Sequence, residues 1–162
     1  MSIIGIDVST KKISIATLYK KGFSVVELEA PSSEDWEQRF VTLQKKFFSY
    51  VEDNLSSEDM VYIEIIPHAA NTSILIKLTH FIVLCRYILL QFGIPFEYVN
   101  NMTWKKNTGV KSKTRLSKDV KLGIRNRAVE LFGDEVQSLS QDGADALLIA
   151  YYGKVITEGV KD

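Results

Sequence analysis

The sequence predicts an α/β fold that begins with three antiparallel strands and continues with alternating helices and strands. Three β-type runs, at positions 2–10, 13–19 and 22–28, are separated by connections short enough for hairpins. From residue 31 onward, segments with apolar residues at helical spacing alternate with two further β-type runs. The element order is therefore β-β-β-α-β-α-β-α-α. A chain of 162 residues has the length of one domain, and we expect residues 1–162 to form a single one.

The first strand carries an acid, Asp7, near the end of an apolar run. It is an apolar run that reaches one carboxylate, Asp7, followed by the small hydroxyl residues Ser9 and Thr10. A central strand this apolar is expected to be buried on both faces. An unpaired carboxylate in such a place costs several kcal/mol or takes up a proton. We therefore expect Asp7 to lie at a strand end and to anchor a divalent-metal site.

A second acid interrupts the fourth strand. The preceding helix starts from serine caps after Pro31 and reaches about Asn54. The strand spans 60–66 and is closed by Pro67, with Glu64 inside its apolar pattern. Glutamate is a poor strand former, so strand propensity does not explain it. A structural ion pair would account for one such acid, whereas two at apparent strand ends favour a shared site.

The next helix, over 71–92, is apolar around nearly its whole circumference. A helix that covers only one sheet needs an apolar stripe on one side. Its charged residues, including Lys77 and Arg86, argue against a membrane span. The additional apolar surface contacts either a larger core of the same chain or a second subunit. In a homodimer we expect Phe81 and Ile82 at the interface.

The segment after the fifth strand (96–99) is strongly basic. Between Trp104 and Arg127 it carries nine basic residues and one acid, a net charge of +8, while the rest of this neutral chain carries −8. Such segregation favours a surface for a polyanion, with nucleic acid as the obvious partner, and a solvated basic helix is the alternative. A helix capped by Ser117 or Thr114 is predicted to run to about Phe132.

The last segment, 138–152, begins a helix that carries two acids. Ser138, followed three residues later by Gln141, predicts a capping box. Asp142 and Asp145 are three residues apart and share one helix face. The helix dipole alone would explain one of them or both. The residues around them are small, however, which allows the start of the helix to approach a sheet closely.

Four carboxylates gathered in one place need cations, because like charges at contact raise each other's pKa. Hard oxygen ligands suit Mg²⁺ or Mn²⁺, and the sequence offers no zinc-type set of Cys and His. Two such ions about 4 Å apart can activate a water and stabilise the leaving oxygen in phosphodiester hydrolysis. The basic segment would hold the phosphates of the substrate.

The order of the elements and the positions of the acids resemble the ribonuclease-H-like superfamily, and within it the RuvC-type Holliday junction resolvases, including the small versions carried by phages. The resemblance covers nearly the whole chain and rests on three stretches, IGIDVSTKKISIA, YIEIIPHAAN and QDGADALLIAYYG. It implies a mixed five-stranded sheet, with three antiparallel and two parallel strands, flanked by helices. Where the bacterial enzymes place an aromatic wedge after the catalytic glutamate, this chain has Pro67 and His68.

The resemblance also implies a function. The resemblance implies that Asp7, Glu64, Asp142 and Asp145 are the catalytic set and hold Mg²⁺ or Mn²⁺ ions, two in each site. A homodimer, for which we favour helix 71–92 as the interface, would make symmetric nicks in a four-way DNA junction. The stretch WKKNTGVKSKTRLSK resembles the DNA-contacting stretch of the family. The DNA contacts expected from it are Lys105, Lys106, Lys111, Lys113, Arg115 and Lys118.

Three other functions compete with a strict resolvase. A broader nuclease of the same fold would cut flaps and forks as well, and the sequence does not separate the two. A junction-binding protein without chemistry would not need all four acids. Half of a sugar-kinase-like or actin-like protein would begin with a similar hairpin, but it needs a second lobe and glycine-rich nucleotide loops, for which this chain is too short.

The sequence also carries an expectation about the compartment. Its N-terminus enters a strand pattern at once, without the pattern of a signal peptide. Its single cysteine, Cys85, excludes disulfides within the chain and fits a reducing environment. We therefore expect a cytoplasmic protein, in the cytoplasm of the host if a phage encodes it.

Overall fold

The computed structural model describes residues 1–65 and 71–159. Within them a five-stranded sheet has the order β3-β2-β1-β4-β5. The strands are β1 (Ile3–Val8), β2 (Lys12–Leu18), β3 (Phe23–Glu29), β4 (Met60–Ile65) and β5 (Phe96–Asn100). The α-helices are α1 (Trp36–Asn54), α2 (Thr72–Gln91), α3 (Asn101–Asn107), α4 (Ser117–Phe132) and α5 (Gln141–Glu158), and a 3₁₀ turn covers Asp134–Ser138.

The sheet is mixed, as the resemblance implies. β1, β2 and β3 pair antiparallel, while β1 pairs parallel with β4 and β4 pairs parallel with β5. Parallel neighbours need a long crossover, which α2 supplies between β4 and β5. The three antiparallel strands need only short turns. The predicted fold class is thereby confirmed.

Both faces of β1 are buried, as its apolar sequence predicts. Ile4 and Ile6 are fully buried in a core that includes residues of α1 and α2. Ile3, which points to the opposite face because side chains alternate along a strand, lies in a second core built largely from α5. The sheet therefore separates a layer formed by α1 and α2 from a layer formed by α5, with α3 and α4 on the same side as α5.

The helix α5 lies unusually close to β1, and one glycine makes this possible. A Cβ on Gly5 would stand 2.1 Å from the carbonyl oxygen of Ala146 and 2.3 Å from the amide nitrogen of Ala150. These atoms belong to the backbone of α5, so no side chain fits in that space and glycine is required at this position of β1. The close approach expected from the small residues of the last segment is therefore present, and it brings the start of α5 onto the sheet.

Several helix starts differ from the predictions. Asp35, with Gln38, forms the capping box of α1 in place of the serines. Leu116 precedes α4 without a side-chain cap, so the predicted capping by Ser117 or Thr114 is wrong. Ser140, whose hydroxyl accepts from the amide of Gly143, caps α5 in place of Ser138. The cap is chosen by where tertiary packing sets the first helical turn, which the sequence pattern locates only within a few residues.

The helix α3 was not predicted at all. It has seven residues, begins directly after β5, and is capped by Asn100, whose side chain accepts from the amide of Met102. Trp104 holds it in place because its ring is fully buried in the core beneath α5. A helix of two turns is marginal alone and depends on such packing.

The long helix α2 packs on the sheet with one side and leaves an apolar side exposed. By length and by a mean hydropathy of 1.8 it would suffice to cross a membrane, yet it buries residues such as Phe81 in the core. Phe81 is fully buried, so the expectation that it lies at a dimer interface is wrong. The exposed side is instead formed by Ile76, Val83, Tyr87 and Leu90, each more than half exposed.

Candidate active site

Two of the predicted acids are neighbours on adjacent parallel strands. Ile6 of β1 stands opposite Ile63 of β4, so the residues that follow them, Asp7 and Glu64, come at the same level. Side chains alternate between the two faces of a strand, and the preceding residues, Ile6 and Ile63, pack in the core beneath α1 and α2. The side chains of Asp7 and Glu64 therefore lie on the opposite face, which α5 covers. Glu64 is only 6% exposed.

Asp7 and Glu64 lie close enough for their carboxyl groups to interact, and this interaction favours the protonated form of Asp7. Burial raises the pKa of Asp7 well above its usual range, and the charge of Glu64 raises it further. The two acids of α5, Asp145 and Asp142, act in the same direction at smaller strength. The four acids therefore interact electrostatically, although they come from three separate elements.

Asp145 lies one turn after Gln141, the first residue of α5, and close to Glu64. Burial raises the pKa of Asp145 from 3.8 to about 6, and the charges of Glu64 and Asp142 contribute to the rise. A hydrogen bond from Gln141, with 2.8 Å between Nε2 and Oδ1, and the nearby charge of Lys105 oppose it. Burial prevails because water no longer stabilises the carboxylate.

Asp142 lies at the margin of the group and is held by a cation from the sheet. Its Oδ2 stands 3.3 Å from Nζ of Lys12, which also contacts Oε1 of Glu27 at 3.0 Å. Across residues 1–65 and 71–159, no three acidic, His or Cys side chains converge closely enough to form a ready-made metal cluster. The structure thus brings Asp7, Glu64 and Asp145 into mutual interaction, and it pairs Asp142 with Lys12.

The unpredicted helix α3 contributes to the site. Asn101 donates a hydrogen bond from Nδ2 to Oε1 of Glu64, at 2.5 Å. Its other amide atom, Oδ1, accepts from Nζ of Lys105 at 2.8 Å. The ammonium of Lys105 also lies 5.1 Å from the ring centre of Trp104, which is within cation–π distance. Asn101 therefore fixes the orientation of Glu64, and Lys105 fixes the orientation of Asn101.

The candidate DNA contacts are arranged in two ways. Lys105 is half-buried and belongs to the carboxylate site. The other five are exposed on α3, on the loop that follows it and on the first turn of α4, where they are free to reach a phosphate backbone: Lys106, Lys111, Lys113, Arg115 and Lys118.

Two further basic residues of this segment serve the fold. Arg125 donates to the carbonyl oxygens of Val136 and Leu139, both at 2.8 Å. Arg127 donates to the carbonyl oxygen of Thr108 and pairs with Glu130. The net charge of the segment therefore overstates the number of cations that face solvent.

Three residues of the site escaped the sequence analysis: Lys12, Glu27 and Asn101. The first two belong to strands in which every second residue faces α5, so pairing β2 with β3 in register would have placed them beside Ser14 and Asp7. Asn101 follows β5 directly, and the carboxyl ends of the parallel strands β4 and β5 meet at one edge. Pro67 and His68, which stand where the bacterial enzymes place an aromatic wedge, lie outside the described residues.

The donor set fits a hard divalent cation. Asp7 and Asp145 are buried carboxyl groups whose pKa values are raised by burial and by the charges of neighbouring carboxylates, Glu64 in both cases. A cation between such groups would remove the repulsion that raises these values. Carboxylate oxygen is also the ligand that Mg²⁺ and Mn²⁺ prefer.

The sheet order, with its antiparallel half and its parallel half, and the helices on both faces define a ribonuclease-H-like fold. Two solved structures that share it are RuvC from Thermus thermophilus. The one in complex with Holliday junction substrate has a TM-score of 0.75 and 14% identity, over 98% of this chain and 96% of that chain. The other has a TM-score of 0.72 and 14% identity, over 98% and 97%.

No family model matches the sequence, and no curated protein matches it. At 14% identity the likeness to RuvC concerns the fold, and it extends over nearly the whole of both chains. The RuvC-like fold that the sequence resemblance implies is thereby confirmed.

Proposed function

We propose that this protein is a metal-dependent endonuclease that resolves four-way DNA junctions by paired, symmetric nicking. The observation that carries the proposal is the interaction of Asp7, Glu64 and Asp145 at the ends of neighbouring elements in a RuvC-like fold. Gathering buried acids costs stability, and such clusters are typical of functional sites. The junction as substrate is suggested by the likeness to a RuvC bound to a Holliday junction.

Asp7, Glu64, Asp142 and Asp145 would hold Mg²⁺ or Mn²⁺, with two ions in each site. The bound ions would supply an activated water and charge stabilisation of the leaving oxygen. Asn101 keeps Glu64 in one orientation, which a ligand needs in order to act without reorganisation. Lys105 lies close enough to Asp145 to lower its pKa, and its positive charge would act in the same way on a phosphate bound beside these carboxylates.

The exposed basic residues would bind the DNA backbone on one side of the carboxylates. Lys106 follows Lys105 on α3, and Lys113 and Lys118 extend the positive surface to the start of α4. Contacts of lysine and arginine with phosphate release counterions, so affinity falls as salt rises. These residues would position the duplex arms without reading the sequence of the bases.

A homodimer would provide the two sites that paired nicking requires, and we propose the exposed side of α2 as its interface. Val83 and Tyr87 line an apolar cleft between α1 and α2, together with Phe40 and the edge of His80. A contiguous apolar surface of this kind is typical of an interface between proteins. A two-fold axis beside α2 would bury the same residues on both copies.

The test is cleavage of a synthetic four-way junction, with linear duplex and flap substrates alongside, in Mg²⁺ and in chelator. We expect paired nicks in the junction that require metal and disappear in Asp7→Asn. Asp53→Asn, which removes an exposed acid from α1, is the matched control and should retain activity.

Two other results would change the proposal. Cleavage of flaps as readily as junctions would indicate a broader branched-DNA nuclease. Tight junction binding by the folded protein without any cleavage in Mg²⁺ or Mn²⁺ would refute the enzymatic function and leave a binding protein.

A further inference from the structure

Lys12 lies between two acids, Glu27 and the proposed metal ligand Asp142. Its ammonium contacts Oε1 of Glu27 at 3.0 Å, Oγ of Ser140 at 3.2 Å and Oδ2 of Asp142 at 3.3 Å. An ammonium has three donors, and these contacts use all of them. Because Ser140 caps α5, Lys12 connects β2 to the start of the helix that carries two of the proposed metal ligands.

The contact with Asp142 is the one that can be exchanged. Glu27 also accepts hydrogen bonds from Ser14 and Ser140, so it remains held if Lys12 moves. Asp142 is more exposed, at 36% of its side chain, and its contact is the longest of the three. Within the described chain, Lys12 is the cation that pairs with Asp142.

The Lys12 ammonium also borders an open cleft of about 590 Å³, which begins beside Asp142. The polar side chains that line the cleft are Ser9, Lys11, Lys12, Glu29, Ser32 and Asp142. It lies at the β1–β2 turn, which belongs to the antiparallel half of the sheet, whereas α3 adjoins β5 at the other edge. A strand of DNA held by the basic segment and crossing the carboxylates would next reach this cleft.

We propose that the cleft binds a DNA phosphate, and that Lys12 exchanges Asp142 for this phosphate when DNA binds. The inference rests on the proposed nuclease function and adds a second phosphate site to it. Asp142 then becomes available to a divalent cation, while Lys12 keeps an anionic partner. Binding of DNA and binding of the cation therefore strengthen each other, as reciprocal linkage requires.

The first measurement is the affinity for Mn²⁺ without DNA, which is determined from the electron paramagnetic resonance signal of free Mn²⁺. In Lys12→Met the positive charge beside Asp142 is gone and the aliphatic stem remains. We expect Mn²⁺ affinity to rise about three- to ten-fold, the size of a charge repulsion acting over several ångströms near a solvated surface. A lysine that only held α5 in place would give weaker Mn²⁺ binding on replacement, and that result would overturn the proposal.

The second measurement is binding of a fluorescent four-way junction in chelator at several salt concentrations. For Lys12→Met we expect weaker binding, and a slope of log affinity against log salt that is smaller by about 0.9, the contribution of one phosphate contact. Lys12→Arg keeps the charge and should keep the slope. Lys45→Met removes an exposed lysine of α1, on the other face of the sheet, and should change neither quantity. An unchanged slope in Lys12→Met would refute the phosphate contact.

A reciprocal variant covers the case in which Lys12→Met does not fold. Asp142→Asn frees Lys12, so junction affinity in chelator should rise by more than it does in Asp145→Asn, which removes the same charge from the same helix. In the double variant with Lys12→Met this excess should vanish. An equal gain in Asp142→Asn and Asp145→Asn would contradict the exchange. Failure of the wild-type protein to cut junctions would refute the nuclease function alone, because both readouts for Lys12 are binding equilibria.

Discussion

Replacing Asp145 with asparagine is expected to stabilise the protein in chelator, by an amount that grows as pH rises from about 4 and is complete above about pH 6. The carboxyl group is buried near Glu64, and burial raises its pKa from 3.8 to about 6. Between these two values the folded state binds more protons than the unfolded chain. The free energy of unfolding therefore falls as pH rises through this window and stays low above it.

The magnitude follows from the pKa. Ionising Asp145 costs the folded state about 3 kcal/mol relative to the unfolded chain, at 1.36 kcal/mol for each pH unit. Asparagine has no such cost, and its Oδ1 can still accept the hydrogen bond from Gln141. For a chain of this length, about 3 kcal/mol corresponds to a rise in melting temperature of about 6–12 °C at pH 8.

The assay is thermal unfolding of the wild type and of Asp145→Asn from pH 4 to pH 8 in chelator, monitored by circular dichroism. The melting temperatures should converge near pH 4 and separate as pH rises. Adding Mn²⁺ at pH 8 should raise the melting temperature of the wild type more than that of Asp145→Asn, because the ion binds the folded state through this carboxylate. Asp53→Asn is the control for a change of charge alone. A variant less stable than wild type at pH 8, or a difference independent of pH, would refute the reasoning.

Three further predictions follow from the packing and the hydrogen bonds. Gly5→Ala should destabilise the protein by about 3 kcal/mol or more in thermal melting, because its Cβ would overlap the carbonyl oxygen of Ala146; an unchanged melting temperature would contradict the close packing of α5. Asn101→Leu should lower kcat for junction cleavage about 10- to 100-fold while junction affinity stays near that of wild type, since Glu64 loses its orienting donor. Tyr87→Glu should convert a dimer into a monomer in analytical ultracentrifugation without loss of helical content, and a dimer that persists would exclude this face of α2 as the interface.

The sequence predicted those features that depend on local pattern. The apolar run around Asp7 predicts a strand buried on both faces, and Ile4 and Ile6 are fully buried on one of them. Glu64 stands out because an acid inside an apolar strand has no local explanation. Helical spacing placed the end of α1 and both ends of α2 within one residue of the observed bounds, whereas the start of α1 was predicted a few residues too early.

Features that depend on contacts between distant segments were missed. The helix α3 has too few residues to show a periodic pattern, and it forms because Trp104 is buried beneath α5. The role of Phe81 was misjudged for a related reason. Leucines, isoleucines and aromatics surround α2 on all sides, so the pattern did not show which side faces the sheet.

The sequence alone determined the α/β fold and the order of its elements other than α3, and it singled out the four candidate acids, because strand and helix periodicity and misplaced charge are properties of short segments. Only the tertiary structure decided the surroundings of those acids. The amide of Asn101 on Glu64 and the ammonium of Lys12 on Asp142 join segments that are far apart in the chain. The physical reason is that strand register and helix docking set which side chains meet, and both are fixed only when the two cores on either side of β1 pack together.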